Sequence, residues 1–343
     1  MAVKPKEYTF DASYQPQVRT NTDTRRIMLD VIIALIPALC VGVYQFGIAA
    51  LVRIIVSVAS CVFFEWAYRK FLDKPSSIGD LSACVTGILI AFVVPVSVKW
   101  WMPIVGGFFA IVVVKQLYGG IGKNFLNPAL AARAFMMASW PVFMTTWAVP
   151  KTLAAAGIDA VTMTTPLSIL KAGEALPEYY TTCNMFLGNV PGCIGEISAV
   201  ALLIGGAYLL IRRVINWRIP VAFIGTVAVL CLIFGKEGYG NFDWMLKNIL
   251  SGGLMLGAIF MATDYSSSPV TLNGQLLYGF GCGALTVLIR YCGGYPEGVS
   301  YAILIMNLCA WAIDKGTRGR QFGVSKEDLK AAKKKAKEAK ANG

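Results

Sequence analysis

The chain has 343 residues, of which 56% are hydrophobic and 15% charged, and its net charge is +12. So little charge in a chain of this length excludes an ordinary soluble domain and predicts an integral membrane protein. The lack of histidine, and of any CxxC pair among the nine cysteines, excludes His-ligated haem or zinc, His general bases, and the usual iron–sulfur sites within this chain alone.

Ten apolar segments follow a polar stretch of residues 1–26, and most approach the roughly 20 residues that cross a bilayer. The third and eighth are shorter and contain glycine or proline. The fold class that this pattern predicts is an all-α polytopic membrane protein with about ten transmembrane helices. The predicted spans are residues 27–46, 48–68, 80–96, 101–118, 128–145, 197–212, 219–235, 248–263, 274–292 and 298–314.

Lysine and arginine predict the orientation of these spans. With the N-terminus inside, 24 of the 31 basic residues lie at cytoplasmic ends and loops. Seventeen still do when the seven lysines of 325–343, within the basic tail 315–343, are set aside. Because cytoplasmic segments of membrane proteins carry the excess of Lys and Arg, we expect both termini in the cytoplasm. Membrane orientation therefore explains the net charge, and no nucleic acid partner is expected.

Residues 146–196 form a long, mostly polar connection between the fifth and sixth spans, and the charge bias places it on the outer side. Connections this long are usually functional or disordered. Within it, Thr165 precedes Pro166 and an apolar-periodic segment, which is typical of a helix that begins with Thr as its N-cap. A helix N-terminus also favours a phosphate, but the spacing alone favours a simple capping role for Thr165.

The two sets of five spans, residues 27–145 and 197–314, share a pattern. The third span, SACVTGILIAFVVP, and the eighth, SGGLMLGAIFMATD, both begin with small residues and have a glycine near the middle. Since five is an odd number, the halves would have opposite topology, and inverted repeats with short helices at matching positions indicate a site near the midplane. Asp264 ends the eighth span, and an acid in such a place indicates an ion path, for Na⁺ or H⁺.

Several motifs together resemble a known family. The sequence Asp159-Ala160-Val161-Thr162-Met163-Thr164-Thr165-Pro166 is similar to the flavinylation motif of two related proteins. These are the D subunit of the Rnf ferredoxin:NAD oxidoreductase complex and the B subunit of the sodium-translocating NADH:quinone reductase. Further similar blocks, in the same order, are GGIGKNFLNPALAARAF at 119–135, GNVPGCIGEIS at 188–198, FMATD at 260–264 and YPEG at 295–298. The short termini favour the Rnf subunit.

The resemblance implies that FMN is attached through a phosphoester to the last threonine of the motif, Thr165. Asp159 and Thr162 occupy the other motif positions, and Met163 stands where the family often has glycine. The resemblance also implies a urea-transporter-like arrangement of two inverted five-helix repeats. The protein would bind and orient the flavin, and the flavin would supply the redox chemistry.

Asn124 and Asn127 match an asparagine pair that lies at a second, non-covalent flavin (riboflavin) site in the quinone reductase. Two residues three apart face the same side of a helix, although Asn capping before Pro128 is nearly as good an interpretation. Arg133 lies about one turn into the fifth span. Because a charge there is costly unless partnered, Arg133 is expected either at the interface or paired within the site.

The block at 188–198 contributes the remaining candidate residues. Gly188, Gly192 and Gly195 would let the backbone approach the ring or the phosphate, and tight loop geometry is an equally good interpretation. Glu196 and Ser198 could bond the polar edge of the ring, or Glu196 could simply lie at a helix N-terminus. A disulfide between two further outer residues is conceivable in an oxidising compartment; these are Cys183 and Cys193.

Two functions follow from these patterns. The resemblance implies a membrane subunit of a redox-driven ion pump, which relays electrons across a bacterial or archaeal cytoplasmic (inner) membrane. Its partners would be a G-type subunit with covalent FMN, iron–sulfur subunits of the A and E types, and membrane lipid. The alternative is a solute channel or secondary transporter on the same inverted-repeat fold, which would not need the threonine motif.

The predicted orientation can be tested by labelling single cysteines. In a variant that keeps Cys183 alone, we expect a membrane-impermeant maleimide to react with intact cells or spheroplasts, because the connection at 146–196 faces outward. In a cysteine-free variant that carries Ser325→Cys, reaction should require permeabilisation. Labelling of Ser325→Cys in intact spheroplasts would contradict the predicted cytoplasmic tail.

Overall fold

The computed structural model describes residues 23–155, 163–235 and 240–318. Over these residues the fold is helical, with one isolated β-bridge between Trp147 and Met163. Each of the ten predicted spans contains helix, as expected of an all-α membrane protein. A hydrophobic core runs through both halves of the chain.

The first half contains five main helices and a short sixth. They are α1 Thr24–Phe46, α2 Ile48–Phe71, α3 Ser82–Phe92, α4 Met102–Gln116, α5 Pro128–Ser139 and α6 Pro141–Met144. The connection that follows contains three short helices, α7 Lys151–Ala155, α8 Pro166–Ala172 and α9 Thr182–Leu187.

The second half contains six helices among its described residues. Its elements are α10 Ala199–Ile211, α11 Arg218–Ile233, α12 Asn241–Leu250, α13 Leu254–Met261, α14 Leu272–Cys292 and α15 Val299–Thr317. Parts of α4 and α13 are wound as π-helix, over Phe109–Gln116 and Gly257–Met261.

Among the described residues, α1, α2 and α14 are long and apolar enough to cross a membrane. The pair α12 and α13, bent by 66°, makes a fourth crossing if the two count as one span. Four more helices are apolar but have only 10–17 residues, namely α3, α4, α10 and α11. The chain is therefore a multi-pass membrane protein, and the number of ten spans stays a prediction.

The structure corrects the bounds of three predicted spans. The third span, 80–96, is helical only over α3, and the eighth, 248–263, is divided between the end of α12 and α13. The fifth span, 128–145, is interrupted at Trp140, which has φ −136° and ψ 63°. The following Pro141 explains this break, because proline has no backbone N–H and disfavours a helical conformation in the residue before it.

The helices of the two halves make matching contacts. Helix α2 packs on α4, as α11 packs on α14, and α4 packs on α5, as α14 packs on α15. Between the halves, α1 packs on α10 and α5 packs on α15. Each half therefore forms a similar unit, and the first and last helices of the units join them.

A buried ion pair joins α2 to α4. Lys115 Nζ lies 2.9 Å from Glu65 Oε2, and the two side chains are 4% and 0% exposed. Lys115 also donates to Ser82 Oγ at 2.6 Å, and Gln116 Nε2 donates to Glu65 Oε1 at 2.9 Å. Glu65 lies near the end of its predicted span, 48–68, where a carboxylate usually faces the membrane interface. The structure buries it instead, because α4 supplies a cation and an amide that satisfy both carboxylate oxygens.

We expect Glu65→Gln to lower the free energy of unfolding by about 3–5 kcal/mol, because Lys115 is then a buried cation without a counterion. The measurement is denaturant unfolding of the detergent-solubilised protein. Asp243→Asn is the matched control, since it removes an i,i+4 ion pair of 2.6 Å in which Asp243 is 44% exposed, and such pairs contribute less than about 1 kcal/mol. Equal losses of unfolding free energy in the two variants would contradict the assignment of Glu65 and Lys115 as a buried ion pair.

Candidate functional site

Thr165 caps helix α8, as the sequence predicted. Its backbone is extended, with φ −69° and ψ 150°, and its side-chain oxygen accepts a hydrogen bond from Ser168 N at 3.3 Å. Pro166 occupies the first turn of the helix, and Gly173, with φ 84°, ends it. Because Thr165 is 9% exposed, its hydroxyl lies just beneath the protein surface.

The connection that carries Thr165 has a small hydrophobic core of its own. Tyr180 belongs to it, and its hydroxyl donates to Thr164 O at 3.0 Å. Burial raises the pKa of Tyr180 above its ordinary value, so the phenol keeps its proton and remains a donor. This bond fixes the backbone immediately before Thr165. The buried core residues are Leu153, Ile169, Tyr180, Met185 and Val190.

Thr165 lies at a small cavity beside α8, which we call the Thr165 cavity. One part of its wall is apolar and is formed by Val190, Pro191, Ile197 and Leu250. The other part contains the polar residues Glu196, Ser251 and Glu297, together with Gly192. The structure therefore brings three of the predicted site residues, Thr165, Gly192 and Glu196, to one place.

Next to the Thr165 cavity, Arg133 of α5 pairs with two carboxylates. Its Nη1 lies 2.7 Å from Glu196 Oε1, where the two side chains are 5% and 3% exposed. Its Nη2 contacts Glu297 Oε2 and lies 3.7 Å from Cys193 Sγ. The predicted need for a partner is confirmed. Sequence reasoning missed one of the two partners, Glu297, because a carboxylate near a span end usually faces water.

Glu196 has one oxygen without a partner among the described residues. Its Oε2 is buried and accepts no hydrogen bond from them, whereas Oε1 is held by Arg133. Burial and the nearby carboxylate of Glu297 raise the pKa of Glu196 to about 7, although Arg133 acts in the opposite direction. A buried acceptor with no donor is unusual in a folded protein. Since Glu196 lines the Thr165 cavity, a proton or the donor group of a ligand fits there.

A second buried arginine, Arg290 of α14, holds the backbone around the same cavity. Its Nη1 and Nη2 donate to the carbonyl oxygens of Asn248 at 2.6 Å and Ser251 at 3.2 Å. Its Nε donates to the carbonyl oxygen of Glu297 at 3.3 Å. Arg290 thus ties the end of α12 to the segment before α15. Sequence reasoning missed this residue, although a lone arginine in an apolar span is itself a signal.

A second cavity, the Asp264 cavity, lies where α5 begins. Asn124, Asn127, Lys115 and Asp264 are among the residues that line it. Asn127 caps α5, since its Oδ1 accepts from the backbone N–H of Ala129 at 3.0 Å, and its Nδ2 donates to a carbonyl oxygen of α13 at 3.1 Å. The interpretation of Asn127 as a cap before Pro128 is therefore confirmed.

The expectation that Asn124 and Asn127 share one face of a helix is wrong. Helix α5 begins only at Pro128, so both residues precede it, and Asn124 bonds the Leu126 carbonyl oxygen at 3.0 Å. The two asparagines nevertheless line the same cavity as Asp264. Asp264 itself accepts hydrogen bonds of 3.0 Å from the hydroxyls of two serines, Ser266 and Ser267.

Two of the three predicted glycines are explained by close packing. A Cβ at Gly195 would overlap the ring of Phe92. Gly188 has φ 102°, and a Cβ there would lie 2.9 Å from Ser198 Cβ. Tight loop geometry is therefore a sufficient reason for these two glycines, whereas Gly192 lines the Thr165 cavity. Ser198 caps α10 by accepting from a backbone N–H at 3.3 Å.

Two further site predictions, Asp159 and Thr162, lie outside the described residues. The conceivable disulfide does not form in the structure. Cys183 is exposed, Cys193 is buried beside Arg133, and both are free. Burial also raises the pKa of Cys193 well above its ordinary value, so this thiol stays protonated at neutral pH.

We expect Gly195→Ala to lower the free energy of unfolding by about 1–3 kcal/mol, the usual cost of overpacking, because the added methyl group meets the Phe92 ring. Gly225→Ala in α11 is the matched control, since no heavy atom of the described residues lies within 4 Å of the added Cβ and alanine favours helix. Denaturant unfolding measures both variants. An unchanged or increased stability of Gly195→Ala would show that the close approach is not a constraint.

Residues 11–323 match the family described as the NQR2, RnfD, RnfE family. The chain is 49% identical over 325 residues to the D subunit of the Na(+)-translocating ferredoxin:NAD(+) oxidoreductase complex of Acetobacterium woodii, which covers 93% of this chain and 97% of the relative. It is 43% identical over 327 residues to the D subunit of the proton-translocating ferredoxin:NAD(+) oxidoreductase complex of Clostridium ljungdahlii, with coverage of 93% and 97%. Identity to the D subunit of the ion-translocating oxidoreductase complex of Stutzerimonas stutzeri is 36% over 332 residues, with coverage of 89% and 93%.

Proposed function

Because the chain belongs to the NQR2, RnfD, RnfE family, we propose that it is the D-type membrane subunit of an ion-translocating ferredoxin:NAD oxidoreductase complex. The main support for this proposal is the similarity between this chain and the D subunits of such complexes, which extends over nearly the whole length of this chain and of each relative. The other subunits of the complex are its partners. The same likeness favours a redox role over that of a solute channel or transporter.

We propose that Thr165 carries FMN through a phosphoester, as the motif resemblance implies. The residues around Thr165 fit such a group. The acceptor hydroxyl lies at the wall of a small cavity that has apolar side chains on one side, and Glu196, which lines the same cavity, has an acceptor oxygen that no described residue occupies. Because the cavity has room for little more than a water molecule, an attached ring would lie outside it, beside Thr165. A covalent bond keeps a flavin in place on a connection that folds as a separate small core.

When bound, FMN would supply one-electron and two-electron redox chemistry. The role of the protein would be to hold the FMN group in position. The cap of α8 and the Tyr180 bond to Thr164 fix the attachment point, and Val190, Pro191 and Ile197 give the cavity one apolar side. Glu196 Oε2 is available to accept a hydrogen bond from a donor that enters the cavity.

We propose that a second flavin and the translocated ion use the Asp264 cavity. Asn124 and Asn127 supply amide groups for a non-covalent flavin such as riboflavin, and Asp264 supplies the carboxylate of an ion path. Arg133 lies six positions after the cap Asn127, which corresponds to about 9 Å of helix rise. Helix α5 therefore connects the Asp264 cavity to the charges beside the Thr165 cavity, and electrons would pass between the two cavities along it.

The structure offers support for two inverted repeats in a urea-transporter-like arrangement. In the aligned third and eighth spans, Ser82 corresponds to Ser251. Lys115, near the end of α4, donates to the hydroxyl oxygen of Ser82 at 2.6 Å, and Arg290, near the end of α14, donates to the backbone carbonyl oxygen of Ser251 at 3.2 Å. Each half thus uses a buried cation from its fourth helix to hold the start of its short third helix.

The remaining parts of the proposal concern location and partners. The charge bias supports a cytoplasmic (inner) membrane location with the 146–196 connection facing outward and both termini in the cytoplasm. In that orientation the flavin on Thr165 would receive electrons from a neighbouring G-type subunit. Iron–sulfur subunits of the A and E types would complete the path.

The attachment site is tested by substitution at Thr165. After co-expression with a flavin transferase, we expect the wild-type band to fluoresce in a denaturing gel, and the Thr165→Val band to stay dark because valine offers no oxygen for a phosphoester. Thr181→Val is the matched control, since Thr181 also caps a short helix of the same connection, with a bond of 3.2 Å to Asn184 N.

Two outcomes would count against this proposal. A wild-type band without fluorescence would show that the protein carries no covalent flavin. A fluorescent Thr165→Val band would place the flavin on another residue, and loss of fluorescence in Thr181→Val as well would show only that an intact connection is required.

A further inference from the structure

Four charges beside the Thr165 cavity, three of them buried and that of Glu297 partly exposed, balance one another. Arg133 contacts both Glu196 and Glu297, and Arg290 holds the backbone carbonyl of Glu297. With both carboxylates ionised, the cluster has two positive and two negative charges. A further negative charge placed at the cavity would not be compensated, and uncompensated charge is costly in a buried site.

Glu196 is the member of this cluster that can take up a proton without losing a contact. Arg133 occupies Oε1 at 2.7 Å, and Oε2 is buried and has no partner in the described part of the chain. A proton added at Oε2 leaves the bond to Arg133 intact. Glu297 differs, because its Oε2 is the atom that contacts Arg133 and its side chain is 17% exposed.

We propose that Glu196 takes up a proton at Oε2 when the redox group attached at Thr165, at the wall of this small cavity, is reduced, and so couples electron arrival to local charge balance. This inference rests on the proposed attachment of a flavin at Thr165. In the step, an electron from an external reductant enters the flavin, and a proton from water adds to the Glu196 carboxylate. The electron and proton together leave the net charge of the site unchanged.

The groups that face Glu196 agree with this role. Arg133 from α5 and the thiol of Cys193 favour the ionised form, and Glu297 from the segment before α15 favours the protonated form. These opposing effects, together with burial, raise the pKa of Glu196 to about 7. Cys193 on the same connection remains a thiol, and Arg290 on α14 adds a positive charge at longer range. The protonation of Glu196 is thus sensitive to one added charge.

The test is an electrochemical titration of the bound flavin in the purified full-length protein at several pH values on either side of about 7. Glu196→Gln keeps an acceptor for Arg133 but cannot bind a proton at this carboxyl. Above a pH of about 7, where Glu196 is ionised before the flavin is reduced, we expect the midpoint potential of the wild type to change more steeply with pH than that of Glu196→Gln, by one proton for each reduced flavin. Well below that pH Glu196 is already protonated, so the two proteins should show the same pH dependence. Glu178→Gln, an exposed carboxylate in the same connection, should titrate like the wild type.

A second measurement needs no flavin. In the Thr165→Val background, infrared spectra should show a buried carboxylic acid band that titrates near neutral pH and disappears with Glu196→Gln. Equal pH dependence of the potential in wild type and Glu196→Gln, or a flavin-free protein in which this band is absent, would overturn the inference. A wild-type protein without flavin would instead contradict the proposed attachment.

Discussion

The pairing of Arg133 with Glu196 and Glu297 is the interaction around which the site is organised. A guanidinium within an apolar bundle is costly without partners, and its two partners come from segments far apart in the chain. One residue of α5 therefore fixes the end of the long connection and the segment before α15. Arg290 adds a second tie to the same place through three backbone carbonyls. The position of Thr165 depends on this frame.

Helix α5 connects the two cavities. It begins at the Asp264 cavity, where Asn127 caps it, and reaches the Thr165 cavity through Arg133. The neighbouring helices α3 and α13 are short and buried, and residues of both halves line the Asp264 cavity beside them. A cofactor on one side and an ion path on the other would thus share a single rigid element, which suits a protein that couples electron transfer to ion movement.

Local signals in the sequence predicted much of this arrangement. The Thr-Pro pair correctly placed the start of α8, Asn127 before Pro128 correctly suggested a cap, and the isolated Arg133 correctly required a partner. Contacts between residues that are far apart in the sequence could not be predicted from such local signals. Glu65 and Glu297 each look like ordinary carboxylates near a span end, and only the folded chain shows which cation each one meets. The break at Trp140 was also missed, since the apolar pattern continues through Pro141.

The central claim is that Thr165 carries the redox group above this cluster of charges. Mass spectrometry of proteolytic fragments of the protein, produced together with its flavin transferase, tests it most directly. The account predicts that the fragment containing Thr165 is heavier by the mass of FMN less one water, and that fragmentation places the added mass on Thr165. An unmodified Thr165 in protein that carries covalent flavin elsewhere would contradict the account.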